Sequence, residues 1–389
     1  MNVNQQIEAV MGAVKEWRRE MHRHPEVSFH EVWTSGYIEK ALSEMGGIEV
    51  SRPTDTSVLG VIKGAHPGKK IGLRADIDAL EIQEEREDID FVSENEGTMH
   101  ACGHDGHAAI LLGAAKVLSK NVDQLHGTIY LIFQHAEEVP PGGAREMVAT
   151  GLFDELDFIY GQHLFTPIPT GKIGITNGAV TSNSDTFELK IQGSGGHASQ
   201  PENAIDPVVI GSQIVAQFQS IVSRITSPLD SVVISTTKFN AGTAKNIIPD
   251  TAMLEGSVRT IDGNTRELVK ERMEKAIEGV CSMYNATFNF TFNYGYSAVI
   301  NNHDMTDQVR EIAVAEFGGA IFEYPMAMGG EDFSAFSQKI PGTYAFIGAG
   351  SREKDMEYPH HHPKFGIDED SFSDGVKMMV LVALNMGKH

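Results

Sequence analysis

The segment Thr98-Met99-His100-Ala101-Cys102-Gly103-His104-Asp105-Gly106-His107 puts one thiol and three imidazoles within eight residues. The Cys102-x-His104 spacing lets a thiolate and an imidazole reach one metal ion from a single loop, and Gly103 and Gly106 permit the tight backbone this needs. The apolar run 108–118 reads as a helix whose positive end faces the loop and favours ionised sulfur. A buried free cysteine beside helix-capping histidines accounts for the same residues, so the segment alone does not decide. Further on, Gln134-His135-Ala136-Glu137-Glu138 pairs two carboxylates. One can ligate a metal while its neighbour, facing the other way, takes a proton from water at that metal, whose pKa a divalent ion brings towards 7. The plainer reading is an acidic helix start near the Pro140-Pro141 turn. His163 and the triplet His360-His361-His362 before Pro363 complete the candidates. Cys102, His104, Glu138, His163 and His362 make a sulfur, nitrogen and oxygen donor set sufficient for two divalent ions sharing a bridging thiolate. Such ions sit about 3.5–4 Å apart and suit hydrolysis of amides and phosphates.

The elements that must carry these donors follow from periodicity. Ile7, Val10, Met11, Val14, Trp17 and Met21 recur at helical spacing, giving a first helix that ends in His22-Arg23-His24-Pro25-Glu26, where the histidines read as caps or ligands. A second helix covers 34–45. Apolar runs of strand length occupy 58–63, 71–74, 127–133, 158–162 and 343–348, with helical patterns such as 108–118 and 145–150 between them. Buried strands alternating with helices predict a mostly parallel sheet covered on both faces. Three of these strands run into polar residues: Asp76 and Asp78, then His135, Glu137 and Glu138, then His163. Sites in open α/β sheets gather outside the carboxyl ends of the strands, so one edge is the expected site. From 183 the texture changes. A strand at 186–191, a helix at 207–223, strands at 231–239 and 251–259, a helix at 264–283 and a strand at 287–294 give the β-α-β-β-α-β order of a ferredoxin-like α+β unit. Helical patterns at 308–317 and 371–386 return to the first texture. The expected division is 1–182 and 297–389 for an α/β catalytic domain, with 183–296 inserted as a second domain.

Composition narrows the class. A chain of 389 residues exceeds one ordinary core, and 41% hydrophobic with 22% charged residues is a globular balance. Against 31 Lys and Arg stand 53 Asp and Glu, a formal charge of −22, which argues against nucleic acid and anionic membrane as partners. The N-terminal residues lack the basic and apolar regions of a secretory signal, and the late apolar run 378–384 is far below membrane-spanning length. Two cysteines, Cys102 and Cys281, make no disulfide framework, and the cytoplasm is the expected compartment. Gly329-Gly330-Glu331-Asp332 lacks the strand and lysine of a phosphate-binding loop, and Gly348-Ala349-Gly350 lacks the third glycine of a dinucleotide fingerprint.

The motifs together resemble a known family. His22-Arg-His-Pro-Glu26, Leu73-Arg-Ala-Asp-Ile-Asp-Ala-Leu80, Met99-His-Ala-Cys-Gly-His-Asp-Gly-His107, Gln134-His-Ala-Glu-Glu138, Gly161-Gln-His163, Gly195-Gly-His-Ala-Ser199, Met328-Gly-Gly-Glu-Asp-Phe333 and His361-His-Pro-Lys-Phe365 occur in order over almost the whole chain. The chain resembles the dinuclear-metal aminoacylase and carboxypeptidase superfamily, in its N-acyl-amino-acid amidohydrolase branch of hippurate and auxin-conjugate hydrolases. The resemblance implies metal ligation by Cys102, His104, Glu138, His163 and His362, with Glu137 as general base. It implies two divalent ions, among zinc, manganese, nickel or cobalt, and an inserted lid domain through which the chain forms a homodimer or higher oligomer. One departure stands out: the superfamily's His-x-Asp reads Arg74-Ala-Asp76 here. His104 then takes the imidazole's place, Cys102 that of the bridging Asp, and Asp76 that of a residue orienting a ligand imidazole. In the lid, the resemblance gives His197 the role of steadying the tetrahedral oxyanion in a neighbouring subunit. Asn246 and Arg259 are candidates for the substrate carboxylate, and Glu331 joins the candidate substrate-binding residues.

The expected reaction is metal-dependent hydrolysis of the amide of an N-acetyl, N-benzoyl or indole-acyl amino acid. N-acetyl-diaminopimelate deacetylation and small-peptide hydrolysis are alternatives. Two rivals lie outside this chemistry. A cysteine hydrolase would use Cys102 as nucleophile with His104 or His107 as base, leaving Glu138, His163 and His362 idle. An inactive binding protein on the same fold would be expected to have lost the base or a ligand.

Overall fold

The computed structural model describes residues 2–388. The chain divides into two compact units: Met1–Val180 with Val299–Pro325 and Asp332–His389, and Thr181–Ala298 with Met326–Glu331.

The first unit is built on an eight-stranded sheet. At its centre, β1 (His66–Asp76), β2 (His126–Gln134), β3 (Phe158–Pro169) and β4 (Gly342–Gly350) run parallel in the order β2-β1-β3-β4. Short strands beyond β2 and next to β4 pair antiparallel and flank this block. The central strands are apolar on both faces, β4 being buried along its whole length, because helices cover both sides. Helices α1 (Val3–Arg23), α2 (Val32–Met45) and α4 (Phe372–Met386) all pack on α3 (His104–Leu118), in which every residue except Lys116 is buried. A helix apolar all round belongs inside a domain, and α3 is the pillar of this core.

Several elements run further than their apolar runs suggest. β3 continues to Pro169 because Leu164, Phe165 and, past a register shift, Pro169 stay paired with β4, so His163 lies within the strand and not at its end. Helix α3 starts at His104, four residues before the apolar run. His104 and His107 therefore project from its first turn, and Gly103 supplies the left-handed entry at φ 90°. A side chain at Gly106 would meet Leu164 Cδ1 at 2.6 Å, so that glycine lets α3 lie against β3.

The second unit has the strand order Val233–Ala241, Thr251–Thr260, Asn183–Gln192, Thr287–Asn293, every pair antiparallel, with helices Pro207–Arg224 and Gly263–Met283. This is the ferredoxin-like arrangement, and its core gathers Phe187, Leu189, Ile214, Phe218, Leu254 and Met273. A small two-stranded ribbon pairs Gly196–His197 with Ile247–Ile248. Among the described residues, no helix is long and apolar enough to cross a membrane.

Candidate metal centre

Three pieces of chain meet at the carboxyl ends of β1 and β2 and the middle of β3. Beyond β1 come Asp76 and Asp78. Beyond β2 the chain turns through Ala136 at φ 50° and presents Glu137 and Glu138. The loop entering α3 brings Cys102, and His361 joins from the loop before α4, its N–H donating to the Ala101 carbonyl at 2.8 Å.

Four imidazoles crowd this space, and their backbone partners sort them. A backbone N–H only donates and a carbonyl only accepts, so each bond fixes a tautomer. His163 Nδ1 donates to the Leu164 carbonyl at 2.8 Å, which leaves the Nε2 lone pair facing Cys102 Sγ at 3.5 Å. His104 Nδ1 donates to Asp78 Oδ1 at 3.2 Å, and its buried Nε2 has no hydrogen-bond partner. His107 and His360 are the other way round. The Leu164 N–H donates to His107 Nε2 at 2.9 Å, so His107 Nδ1–H points at Asp76 Oδ1, 2.6 Å away. The Thr166 N–H donates to His360 Nε2 at 3.4 Å. His104 and His163 thus offer bare nitrogens to the site, whereas His107 and His360 offer N–H groups to anions.

The remaining donors complete the pattern. Glu138 Oε1 is buried without a hydrogen-bond partner, 3.8 Å from His104 Nε2 and 3.3 Å from His361 Nε2. Cys102, Glu138 and His361 offer donor atoms mutually within 4.8 Å, and so do His104, Glu137 and Glu138. Bare nitrogens, a carboxylate oxygen and a sulfur facing one another repel unless cations lie among them, so the residues fit a divalent metal centre. The electrostatics agree. Burial, together with Glu138, Glu137 and Asp76, pushes the Cys102 thiol well above its ordinary pKa. Burial pulls His104 down, but Asp76, Asp78 and Glu138 override it and raise the ring to about 10 when no cation lies among them, so Nε2 becomes bare as a cation displaces its proton. Both shifts mark a pocket of uncompensated negative charge.

Two expectations are corrected. His362 does not reach the cluster: its ring stacks on Tyr358 at 4.7 Å and its Nδ1 accepts the Lys364 N–H at 3.0 Å. His361 stands there instead, because its left-handed backbone (φ 66°) turns the three successive rings in different directions. Asp76, expected to orient a ligand imidazole, accepts instead from His107 Nδ1, and its Oδ2 stands 3.8 Å from His104 Nε2. Asp76 is engaged by Arg74 Nη1 at 2.7 Å and by His107, and Asp78 is the residue that holds His104. Asp78 also accepts the Glu138 N–H at 3.0 Å and the Ser28 hydroxyl at 2.7 Å, tying strand end, ligand and loop together.

Behind the donors lies a charged underlayer. Arg74, where the wider pattern has histidine, bridges Asp76 and Asp332 (2.9 Å) and donates to Gln134 at 2.7 Å. His22 sits between Asp105 at 2.8 Å and Glu84 at 3.0 Å, so it caps nothing, whereas His24 donates to the Glu20 carbonyl in the manner of a helix-end cap. Asp78, His107 and Asp332 lay within quoted motifs but carried no spacing signal of their own.

In the second unit, His197 is exposed on the small ribbon next to Asn246, whose carbonyl accepts the Ala198 N–H at 3.1 Å. The Ser199 N–H donates to His197 Nδ1 at 3.1 Å, which leaves the proton on Nε2, pointing outward as a donor. Arg259 Nη1 is engaged within its own sheet by Ser257 Oγ at 2.6 Å and the Val258 carbonyl at 3.1 Å. Glu331 is buried.

Known proteins are similar to this chain over most of its length. The model of peptidase family M20/M25/M40 matches residues 72–385. An N-acyl-L-amino acid amidohydrolase of Geobacillus stearothermophilus is 46% identical over 295 residues, 76% of this chain and 80% of the relative. Hippurate hydrolase of Campylobacter jejuni is 37% identical over 351 residues, 89% of this chain and 91% of the relative. The crystal structure of a dinuclear metal binding peptidase of the M20 family from Bacillus subtilis superposes with a TM-score of 0.85 at 34% identity, over 97% of this chain and 98% of that one. The family match runs from β1 to α4 and takes in every donor named above, which leaves one conclusion: the chain belongs to peptidase family M20/M25/M40.

Proposed function

We propose that this protein is a dinuclear metal-dependent amidohydrolase that cleaves the amide of N-acyl amino acids to a carboxylate and a free amino acid. The observation that carries this reading is the set of bare donor atoms on His104, His163, Glu138 and Cys102 facing one another beside a second carboxylate, Glu137. Relatives named for N-acyl amino acids and hippurate supply the substrate class.

Cys102, His104, Glu138, His163 and His361 would hold the two cations, of the zinc, manganese, nickel or cobalt class. When bound, the pair supplies Lewis acidity at the amide carbonyl and acidifies the attacking water. Glu137, buried next to His104 and Glu138, takes the water's proton and returns it to the leaving nitrogen. Asp78 keeps His104 in the tautomer whose Nε2 is bare.

The insert, 183–296, acts in this reading as lid and dimerisation domain. Its His197 donates Nε2–H to the developing oxyanion of the partner subunit's substrate, where a preorganised donor has most effect. Asn246 on the same ribbon and Arg259 receive the substrate carboxylate, with Glu331 contributing a polar wall. The sheet-edge strand Val233–Ala241, exposed along most of its length, supports association through the insert. Two free cysteines support a reducing compartment, the cytoplasm.

The test is Glu137→Gln assayed on N-acetyl, N-benzoyl and indole-acyl amino acids with metal content measured in the same sample. Loss of the base should lower turnover about 10²–10⁴-fold at full metal content. Near-parent turnover overturns the mechanism.

A further inference from the structure

Of the three adjacent rings at 360–362, one faces the cluster without a role so far. His360 is packed between Phe165, stacked at 5.2 Å, and Phe365 at 4.8 Å, and its Nδ1 lies 3.7 Å from Cys102 Sγ. Its protonation follows from the backbone alone. The Thr166 N–H donates to Nε2, and a nitrogen that accepts cannot carry a proton, so the neutral ring's hydrogen is on Nδ1. That hydrogen faces the sulfur. His163 approaches the same sulfur with the opposite polarity, its Nδ1–H engaged by the Leu164 carbonyl and its Nε2 bare. Two rings 5.1 Å apart, anchored two residues apart on β3, therefore face one sulfur differently: His163 turns a bare nitrogen to it, and His360 an N–H.

We propose that His360 is a positioning residue for Cys102, donating Nδ1–H to the ligating sulfur and setting its charge and direction without ligating metal itself. The inference rests on the reading of Cys102 as a metal ligand. It has a physical motive in the site. The Glu138 carboxylate shares a donor group with the sulfur and repels a thiolate there, and a fixed N–H group offsets part of that repulsion whether one cation or two are bound. An N–H···S bond also withdraws charge from the sulfur, lowering its donor strength towards the metal, as hydrogen bonding around a ligating cysteine does generally.

Two substitutions separate hydrogen bonding from ring packing. His360→Phe keeps the ring between Phe165 and Phe365 and removes the N–H. His360→Asn removes the ring but places an amide N–H where Nδ1 stood. Each is loaded with Co(II) for the sulfur-to-cobalt charge-transfer band and with Zn(II) for affinity by chelator competition. In His360→Phe the band should move to longer wavelength and Zn(II) affinity should fall about 10–100-fold, the usual effect of losing such a partner. In His360→Asn both should stay near the parent. A parent enzyme without any sulfur-to-cobalt band removes Cys102 from the metal and overturns the underlying reading. A parent band that His360→Phe leaves unmoved overturns the role of His360 alone. So does the reverse order, with Asn damaging and Phe neutral, which is the signature of packing. If the Phe variant does not fold, His360→Leu takes its place, and a displaced band in His360→Asn still counts against the inference.

Discussion

The two units hold their candidate functional groups in opposite ways. In the first, His104 and Glu137 are buried and Cys102, Glu138 and His163 half-buried, with His361 exposed at the rim, and three imidazoles are locked by a carboxylate or by the backbone: His104 by Asp78, His107 by Asp76, His163 by Leu164. In the second, His197 stands exposed on a two-residue strand, steadied only by its neighbour Ser199. A site that must hold charge permanently needs partners fixed before the charge arrives, because rearranging them would cost what binding gains. A group that meets substrate only during the reaction needs exposure and one correctly placed proton, which His197 has. The comparison teaches that fixed hydrogen-bond partners here gather where cations would be held, and exposure where substrate would be met.

The broadest way to break the comparison is to remove the cations. Chelation should abolish activity and re-addition of a divalent ion restore it, whereas a cysteine hydrolase would survive chelation and die on thiol alkylation. At the level of residues, His361→Ala should lose metal and activity while His362→Ala stays near the parent in both, measured as bound metal per chain. Equal losses in the two variants would mean that the Glu138–His361 approach at 3.3 Å is not the ligating one.

Next in size is the exposed unit. His197→Ala should lower kcat about 10²–10³-fold, the range for loss of one oxyanion donor. Its metal content should not change, since among the described residues His197 is in none of the candidate metal-ligand groups. Mixing the His197→Ala and Glu137→Gln chains sharpens this: if His197 serves the partner's site, mixed dimers regain activity that neither parent variant has. No regain would confine His197 to its own chain.

A smaller effect is expected one layer behind the donors. Asp78→Asn removes the charged acceptor of His104 Nδ1–H and should weaken metal about 10–100-fold with a lesser loss of kcat at saturating metal. Asp76→Asn should act less on metal, because Asp76, though its Oδ2 lies 3.8 Å from His104 Nε2, is engaged by Arg74 and His107 and leaves the His104 tautomer to Asp78.

These residues also mark how far sequence alone reaches. The sheet, the insert and the Cys102, His104, Glu138 and His163 cluster were legible because apolar runs and strand-end polar residues repeat with a period that only one architecture satisfies. His361 was not. Three identical residues in a row leave the choice to one backbone angle, and nothing local announces a left-handed histidine. Asp78 was hidden for a related reason. Asp76 and Asp78 are two apart in an extended segment, and which one faces the imidazole depends on Arg74 claiming the other from β1. The length of β3 was misjudged because ladder bonds with β4, absent from any local pattern, carry the strand past His163.

The smallest expected effect concerns Glu31, which touches no donor. Its buried carboxylate accepts the N–H of Ala136 at 2.7 Å and of Phe29 at 3.0 Å and the Thr56 hydroxyl at 2.9 Å, holding the left-handed Ala136 that aims Glu137 and Glu138. Burial and the Asp78 charge raise its pKa from 4.5 to about 7. The folded state therefore binds this proton more tightly than the unfolded chain does. The contribution of Glu31 to stability is greatest below pH 4.5, falls as pH rises towards 7, and is flat above. The fall amounts to about 3 kcal/mol at about 1.4 kcal/mol per unit. Glu31→Gln keeps the acceptor for both N–H groups and removes the titration. In urea unfolding of the chelated protein, the stability difference between parent and Glu31→Gln should therefore shift by that amount between pH 5 and pH 8, in the variant's favour at the higher pH. A difference that does not change with pH would show Glu31 ionised throughout, and the turn at Ala136 would then be held by charge and not by a shared proton.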